Sequence, residues 1–190
     1  MKKIFKYIFA GMAAMSVVAC SEDALETSPS SSVSGNELLG TATNALVSLN
    51  GVYRAMYTAG VSNSSNTHQC FGITAYNLVA DVMGEDCIMN GQGSGWFWYD
   101  CVYNVKSRYT STGWRSYDMW NGYYTWISNV NYILAEEETM SGSETEKNYV
   151  LGQAYAVRAY SYFMLAQMFS RTYKGHESEP RSEERRVGKE

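Results

Sequence analysis

Apolar side chains return along much of this chain at the three- and four-residue steps of a helix. Between residues 37 and 57 the returning positions are Leu38, Ala42, Ala45, Leu46, Leu49, Val52, Tyr53 and Met56. That spacing lines one face of an α-helix, and Gly60 follows as a stop. A shorter segment over 71–83 carries Ile73, Asn77, Ala80 and Met83 at a similar step. Residues 84–99 break the pattern: four glycines lead into Trp96, Phe97, Trp98 and Tyr99. They read as a loop running into an aromatic cluster.

Helical period resumes over 115–138, where Met119, Trp120, Tyr123, Ile127, Val130, Asn131 and Leu134 form one stripe. Ser141, Gly142 and Ser143 interrupt it. Ser143 and Glu146 then have capping-box spacing, in which the serine oxygen accepts the amide three residues on and the glutamate reaches back. The helix opened there is predicted to run to Phe169, with Val150, Leu151, Ala154, Val157, Arg158, Tyr162, Leu165 and Phe169 on its inner face. Two long amphipathic helices joined by a few residues predict an antiparallel hairpin. The spacing of Ala159 and Phe163 suits a tetratricopeptide-like packing position, although no second copy of the repeat is visible.

The N-terminus has a different character. Lys2, Lys3 and Lys6 precede an apolar run over 8–18, shorter than the roughly 20 residues a spanning helix needs. Residues 1–19 therefore read as a cleaved secretory signal. Val17, Val18 and Ala19 ahead of Cys20 resemble a bacterial lipobox, which implies that Cys20 is acylated and becomes the first mature residue. Acyl chains contribute roughly 0.8 kcal/mol per buried methylene and anchor a protein without a spanning helix. Ser21 followed by the acidic Glu22 and Asp23 resembles a lipoprotein surface-export signal, and residues 20–36 are expected to form the lipidated start and a flexible, Ser-rich tether.

Charge narrows the function classes. The whole chain carries 15 Lys+Arg against 19 Asp+Glu, but residues 20–180 hold 8 basic and 16 acidic side chains, and this body is acidic. No stretch of it offers the basic face that a nucleic-acid partner requires. Aromatic residues make up 14%, enough for a packed core and more than a disordered chain carries. His68 and His176 are the only histidines and neither has metal-ligand spacing. With Cys20 set aside, Cys70, Cys87 and Cys101 are odd in number, so at most one disulfide forms among them; in an exported protein they are expected to be buried or paired.

Exposed indole and phenol faces stack on the apolar face of a sugar ring, which makes Trp96, Trp98 and Tyr99 the candidate ligand-stacking residues. Filling the core beside the helices is the competing role for the same side chains. Arg158, in mid-stripe, is expected to pair with an acid such as Asp81, Asp86 or Asp118. Asp81, Glu85 and Asp86 cluster around Gly84 but lack the alternating calcium-loop pattern, so a solvated acidic turn is expected. Glu85 and Asp86 are adjacent and poorly placed to act as glycosidase carboxylates. No catalytic residue, metal or cofactor is expected.

Four pieces of the chain resemble the SusD/RagB family of outer-membrane nutrient-binding lipoproteins. They are the lipobox at Cys20, the ALVSLNGVY run over 45–53, the WNGYYTWISNVNYIL run over 120–134, and the GQAYAVRAYSYFMLAQMF run over 152–169. Trp120, Tyr124, Ile127, Asn131, Ile133 and Leu134 carry the third; Gly152, Ala154, Arg158, Ala159, Tyr162 and Phe163 carry the fourth. The resemblance implies an all-α fold of tetratricopeptide-like helical hairpins with irregular loops, and a non-enzymatic protein. It also implies a partner, a SusC-like TonB-dependent outer-membrane transporter, and the capture of oligosaccharides or peptides at the cell surface. Localisation would be the outer membrane, lipid-anchored and surface-exposed. Family members are longer, so residues 37–180 are expected to be the N-terminal part of a larger SusD-like domain. Residues 181–190 look like the in-frame translation of a sequencing-library adapter and are expected to be foreign. Two other classes remain open on the residues alone: a glycoside hydrolase accessory domain, and a structural or adhesion lipoprotein built of helical repeats. A transporter gene immediately upstream would separate the first reading from these.

Overall fold

A computed structural model of the chain describes residues 38–59, 67–103 and 113–178, all within the second of two compact units, Leu38–Glu190. The signal over 1–19, Cys20 with its tether, and residues 181–190 lie outside the described residues.

Among the described residues the α-helices that follow in order are α1, Ala42–Ala55; α2, Ile73–Met83; the short α3, Trp98–Cys101; α4, Trp114–Ala135; and α5, Glu144–Phe169. A single 3-10 turn, Thr67–Gln69, precedes α2. The fold is all-α; the one β-type pairing among the described residues is an isolated bridge between Thr41 and Ser141.

Each boundary has a local cause. Thr41 caps α1 by accepting the Asn44 amide at 3.1 Å. Ser143 and Glu146 complete the capping box of α5: the Glu146 amide donates to Ser143 Oγ at 3.3 Å, and the Ser143 amide donates to Glu146 Oε2 at 3.0 Å. Two otherwise orphaned amides are satisfied at one helix start. Gly72, just before α2, has φ 72°, and a Cβ there would run into the Met56 carbonyl, so only glycine fits. The Ile73 amide then bonds the Met56 oxygen at 2.7 Å, which ties the start of α2 to the end of α1.

Helices α4 and α5 form the hairpin and share the longest contact in the fold, with α1 packed across both. The start of α1 is pinned to the turn of the hairpin, because the Ala42 amide donates to the Ser141 oxygen at 2.9 Å and the Ser141 amide to the Gly40 oxygen at 3.0 Å. The core holds Ala45, Leu49 and Val52 from α1, Tyr123, Trp126, Ile127 and Val130 from α4, and Val150, Ala154, Val157 and Leu165 from α5. Burial of each large apolar side chain contributes roughly 1.5–3 kcal/mol, and this shared core is what joins the three helices.

The structure redraws parts of the predicted faces. In α2 the buried residues are Ala75, Tyr76, Val79 and Val82, whereas Asn77 and Ala80 are exposed. Tyr76 sets that rotation: its ring lies 5.4 Å from Tyr123 and 6.0 Å from Trp126, and its hydroxyl donates to the Asp118 carbonyl at 3.0 Å. Trp120 and Phe169 leave the inner stripe and pack edge to face on each other at 5.1 Å, both partly in solvent. Ala159 and Phe163 are exposed, because α5 turns Val157, Ser161 and Leu165 inward instead.

Candidate functional site

The glycine-rich segment ends where the aromatic cluster begins, and that cluster sits over the most polar part of the interior. Trp96 is 47% exposed and Tyr99 43% exposed, while Trp98 is half-buried and Phe97 fully buried. The run therefore divides by position. Phe97 is the anchor, meeting Phe71 edge to face at 6.4 Å, and Trp96 and Tyr99 remain at the surface on either side of it.

Phe97 adopts a left-handed backbone, φ 57° and ψ 3°, which costs a non-glycine residue of order 1 kcal/mol. Its surroundings hold it there. The Phe97 amide donates to Gln69 Oε1 at 2.9 Å, and the Arg115 guanidinium lies 5.0 Å from the Phe97 ring centre.

Arg115 is the hub beneath the cluster. Its Nη2 donates to Asp100 Oδ2 at 2.9 Å and its Nε to Asp100 Oδ1 at 3.3 Å, the forked geometry of a guanidinium on a carboxylate. Its Nη1 donates to the Gln69 backbone oxygen at 2.8 Å, and Nη2 also reaches Gln69 Oε1 at 3.4 Å. The Trp114 ring centre lies 4.2 Å from the same guanidinium. Arg115, Asp100 and Gln69 are all buried, so the 3-10 turn, α3 and the start of α4 are joined by one clamp of charge and amide groups. A buried charge keeps such a network complete, since any missing partner leaves it uncompensated.

At the edge of the clamp, Gln69 Nε2 lies 3.0 Å from His68 Nε2, and the exposed His68 ring lies 5.1 Å from the Trp96 ring, tilted by 43°. The surface indole is thus linked through His68 and Gln69 to the buried pair. Tyr103, also on a left-handed backbone, donates its hydroxyl to the Met83 carbonyl and holds the end of this segment against α2.

The three aromatic candidates accordingly fall on one short segment, two of them accessible. The clamp under them was not legible as such, although a signal for Arg115 existed: it lies four residues before Met119 and so on the buried stripe of α4. Arg158 is half-buried and bonds Asn131 Oδ1 at 3.2 Å with Tyr155 4.9 Å from its guanidinium, so an amide takes the place of the acid expected there. Asp81, Glu85 and Asp86 are exposed, and among the described residues no three His, Cys, Asp or Glu side chains gather as metal ligands. Cys70, Cys87 and Cys101 form no disulfide; Cys87 is exposed, against the expectation of burial or pairing, because the loop after α2 carries it away from the core. No helix among the described residues is long and apolar enough to cross a membrane.

No curated protein and no solved structure matches the chain. A family described as starch-binding and associating with the outer membrane matches residues 91–187, a stretch that begins in the glycine-rich loop and takes in the aromatic cluster, Asp100, Arg115 and the whole α4–α5 hairpin. On that match, over more than half of its length, the chain belongs to the SusD-like family.

Proposed function

We propose that this protein is a non-enzymatic, surface-exposed lipoprotein that captures oligosaccharides for uptake through a SusC-like TonB-dependent transporter. In this reading residues 1–19 are the signal, Cys20 carries the lipid, residues 20–36 are the tether, and the helical domain presents its aromatic segment to the ligand.

The observation that carries the reading is the exposure of Trp96 and Tyr99 on a segment anchored from below by Phe97 and the Arg115–Asp100 pair. Side chains that merely filled the core would not remain nearly half in solvent, and a platform held rigidly loses little conformational freedom when a ring stacks on it. The family description, which names starch binding and outer-membrane association, supports the same class of ligand.

Titration calorimetry of the full chain with maltoheptaose, xylohexaose and a β-glucan oligosaccharide tests it. Saturable binding of at least one sugar, weakened about tenfold or more in Trp96→Ala, is the expected result. Absence of binding to all three, or native affinity in Trp96→Ala, would remove the platform.

A further inference from the structure

We infer that His68 is a ligand-contact residue of this platform, held as the neutral tautomer with its proton on Nδ1, and that it donates a hydrogen bond to a hydroxyl or ring oxygen of a sugar stacked on Trp96. The inference rests on the platform reading and adds to it the polar group that a stacked ring requires.

Gln69 determines the tautomer. One of its two amide atoms faces two donors, the Phe97 amide at 2.9 Å and Arg115 Nη2 at 3.4 Å, so that atom is the carbonyl oxygen. The other is then the NH2 group, and it lies 3.0 Å from His68 Nε2. A nitrogen facing an NH2 donor at that distance has to accept, so Nε2 is bare and the single ring proton sits on Nδ1. Turning the amide over would place its NH2 against the Phe97 amide and the guanidinium, both donors, in the interior. The buried pair Arg115–Asp100 therefore selects, through Gln69, which ring nitrogen of the exposed His68 accepts and which carries hydrogen.

Location gives that proton a use. The His68 ring is exposed and lies 5.1 Å from the Trp96 ring at 43°, so the two rings form an angled corner rather than a stack. A pyranose covering the free face of Trp96 turns its apolar C–H face to the indole and its hydroxyls outward around its rim. With Nε2 occupied by Gln69, Nδ1–H is the ring donor left for a ligand. An aromatic face with a fixed donor beside it selects a sugar over a purely apolar ligand, because apolar contact alone sets neither orientation nor hydroxyl pattern.

Three variants of the full chain, titrated with the same three oligosaccharides, test the inference together with long-range 15N–1H correlation spectra of its histidines. His68→Phe keeps a ring beside Trp96 without the donor and is expected to weaken binding about fivefold, as the loss of one neutral hydrogen bond does. His68→Asn places an amide nitrogen near the Nδ1 position and is expected to recover most of that loss, while Trp96→Ala loses more than either. The spectra are expected to show His68 with Nδ1 protonated and Nε2 bare. Native affinity in His68→Phe beside a large loss in Trp96→Ala overturns the role of His68 and leaves the platform standing, as does the opposite tautomer. A native chain that binds none of the sugars overturns both. Melting temperatures of the His68 variants equal to native exclude misfolding as the cause of lost binding.

Discussion

Arg115 and Asp100 form an ion pair with their side chains only 6% and 2% exposed, Nη2 to Oδ2 at 2.9 Å, directly below the aromatic segment over 96–99. Removing one member of such a pair leaves the other buried and uncompensated, at a cost of about 3–5 kcal/mol. Asp100→Ala and Arg115→Ala should therefore each lower the melting temperature steeply, whereas the double replacement Asp100→Leu with Arg115→Met should cost clearly less than either single change. Thermal unfolding followed by circular dichroism measures all three; a loss in the double equal to the sum of the two single losses would mean that the pair does not act as a unit.

Gly122 and Gly152 both lie inside helices and should respond in opposite directions to alanine. A Cβ on Gly122 would push into the Tyr76 hydroxyl and displace its bond to the Asp118 carbonyl, so Gly122→Ala should destabilise by about 1–3 kcal/mol. Nothing lies within 4 Å of a Cβ on Gly152, which is exposed in the middle of α5, so Gly152→Ala should stabilise by about 0.5–1 kcal/mol through helix propensity. Denaturant midpoints of the two variants provide the comparison.

Glu146 should show its capping role in its titration. Its carboxylate accepts from the Ser143 hydroxyl at 2.7 Å and from the Ser143 amide at 3.0 Å, and these bonds hold its pKa below the ordinary 4.5. A folded pKa below the unfolded one makes the contribution fully present above pH 4.5 and lost as the pH falls through the lowered value. Carboxyl NMR titration should place the Glu146 midpoint below 4.5, and in Glu146→Gln the amide exchange of the first turn of α5 should no longer accelerate in acid.

Tyr76 and Tyr123 are held above the ordinary phenol range, first by burial and then by the neighbouring Asp118 carboxylate and Tyr160 respectively. Both phenols should stay protonated through pH 10, so ultraviolet difference spectra should show these two ionising only as the fold opens. Tyr76→Phe keeps the ring packing but leaves the Asp118 carbonyl without this donor, and should cost about 1 kcal/mol in chemical unfolding.

Cys20→Ala should move the protein from the membrane fraction to the soluble one if the lipid is the anchor. Fractionation of cells expressing the native and altered chains, with labelled palmitate as a tracer, decides it; retention of the variant in the membrane would dismiss the lipid role.

The sequence by itself determined the four longer helices, because a step of 3.6 residues and, ahead of α5, a serine at the right distance from the first turn are properties of neighbouring residues, whereas the short α3 lies in a run that read as a loop leading into an aromatic cluster. The hairpin of α4 and α5 and the capping box at Ser143 were legible for that reason, whereas which members of the aromatic run over 96–99 face solvent was not. Rotation of α2 was not, since whether Tyr76 or Asn77 turns inward depends on Tyr123, Trp126 and the Asp118 carbonyl more than forty residues away. Nor was the clamp: Gln69, Asp100 and Arg115 belong to three different elements, and nothing local to any of them specifies that one guanidinium will bond both a carboxylate and a glutamine in the interior. Only tertiary packing brings those groups within hydrogen-bond distance. With the amide oxygen of Gln69 taken up inside, packing also decides which nitrogen of His68 carries its proton at the surface.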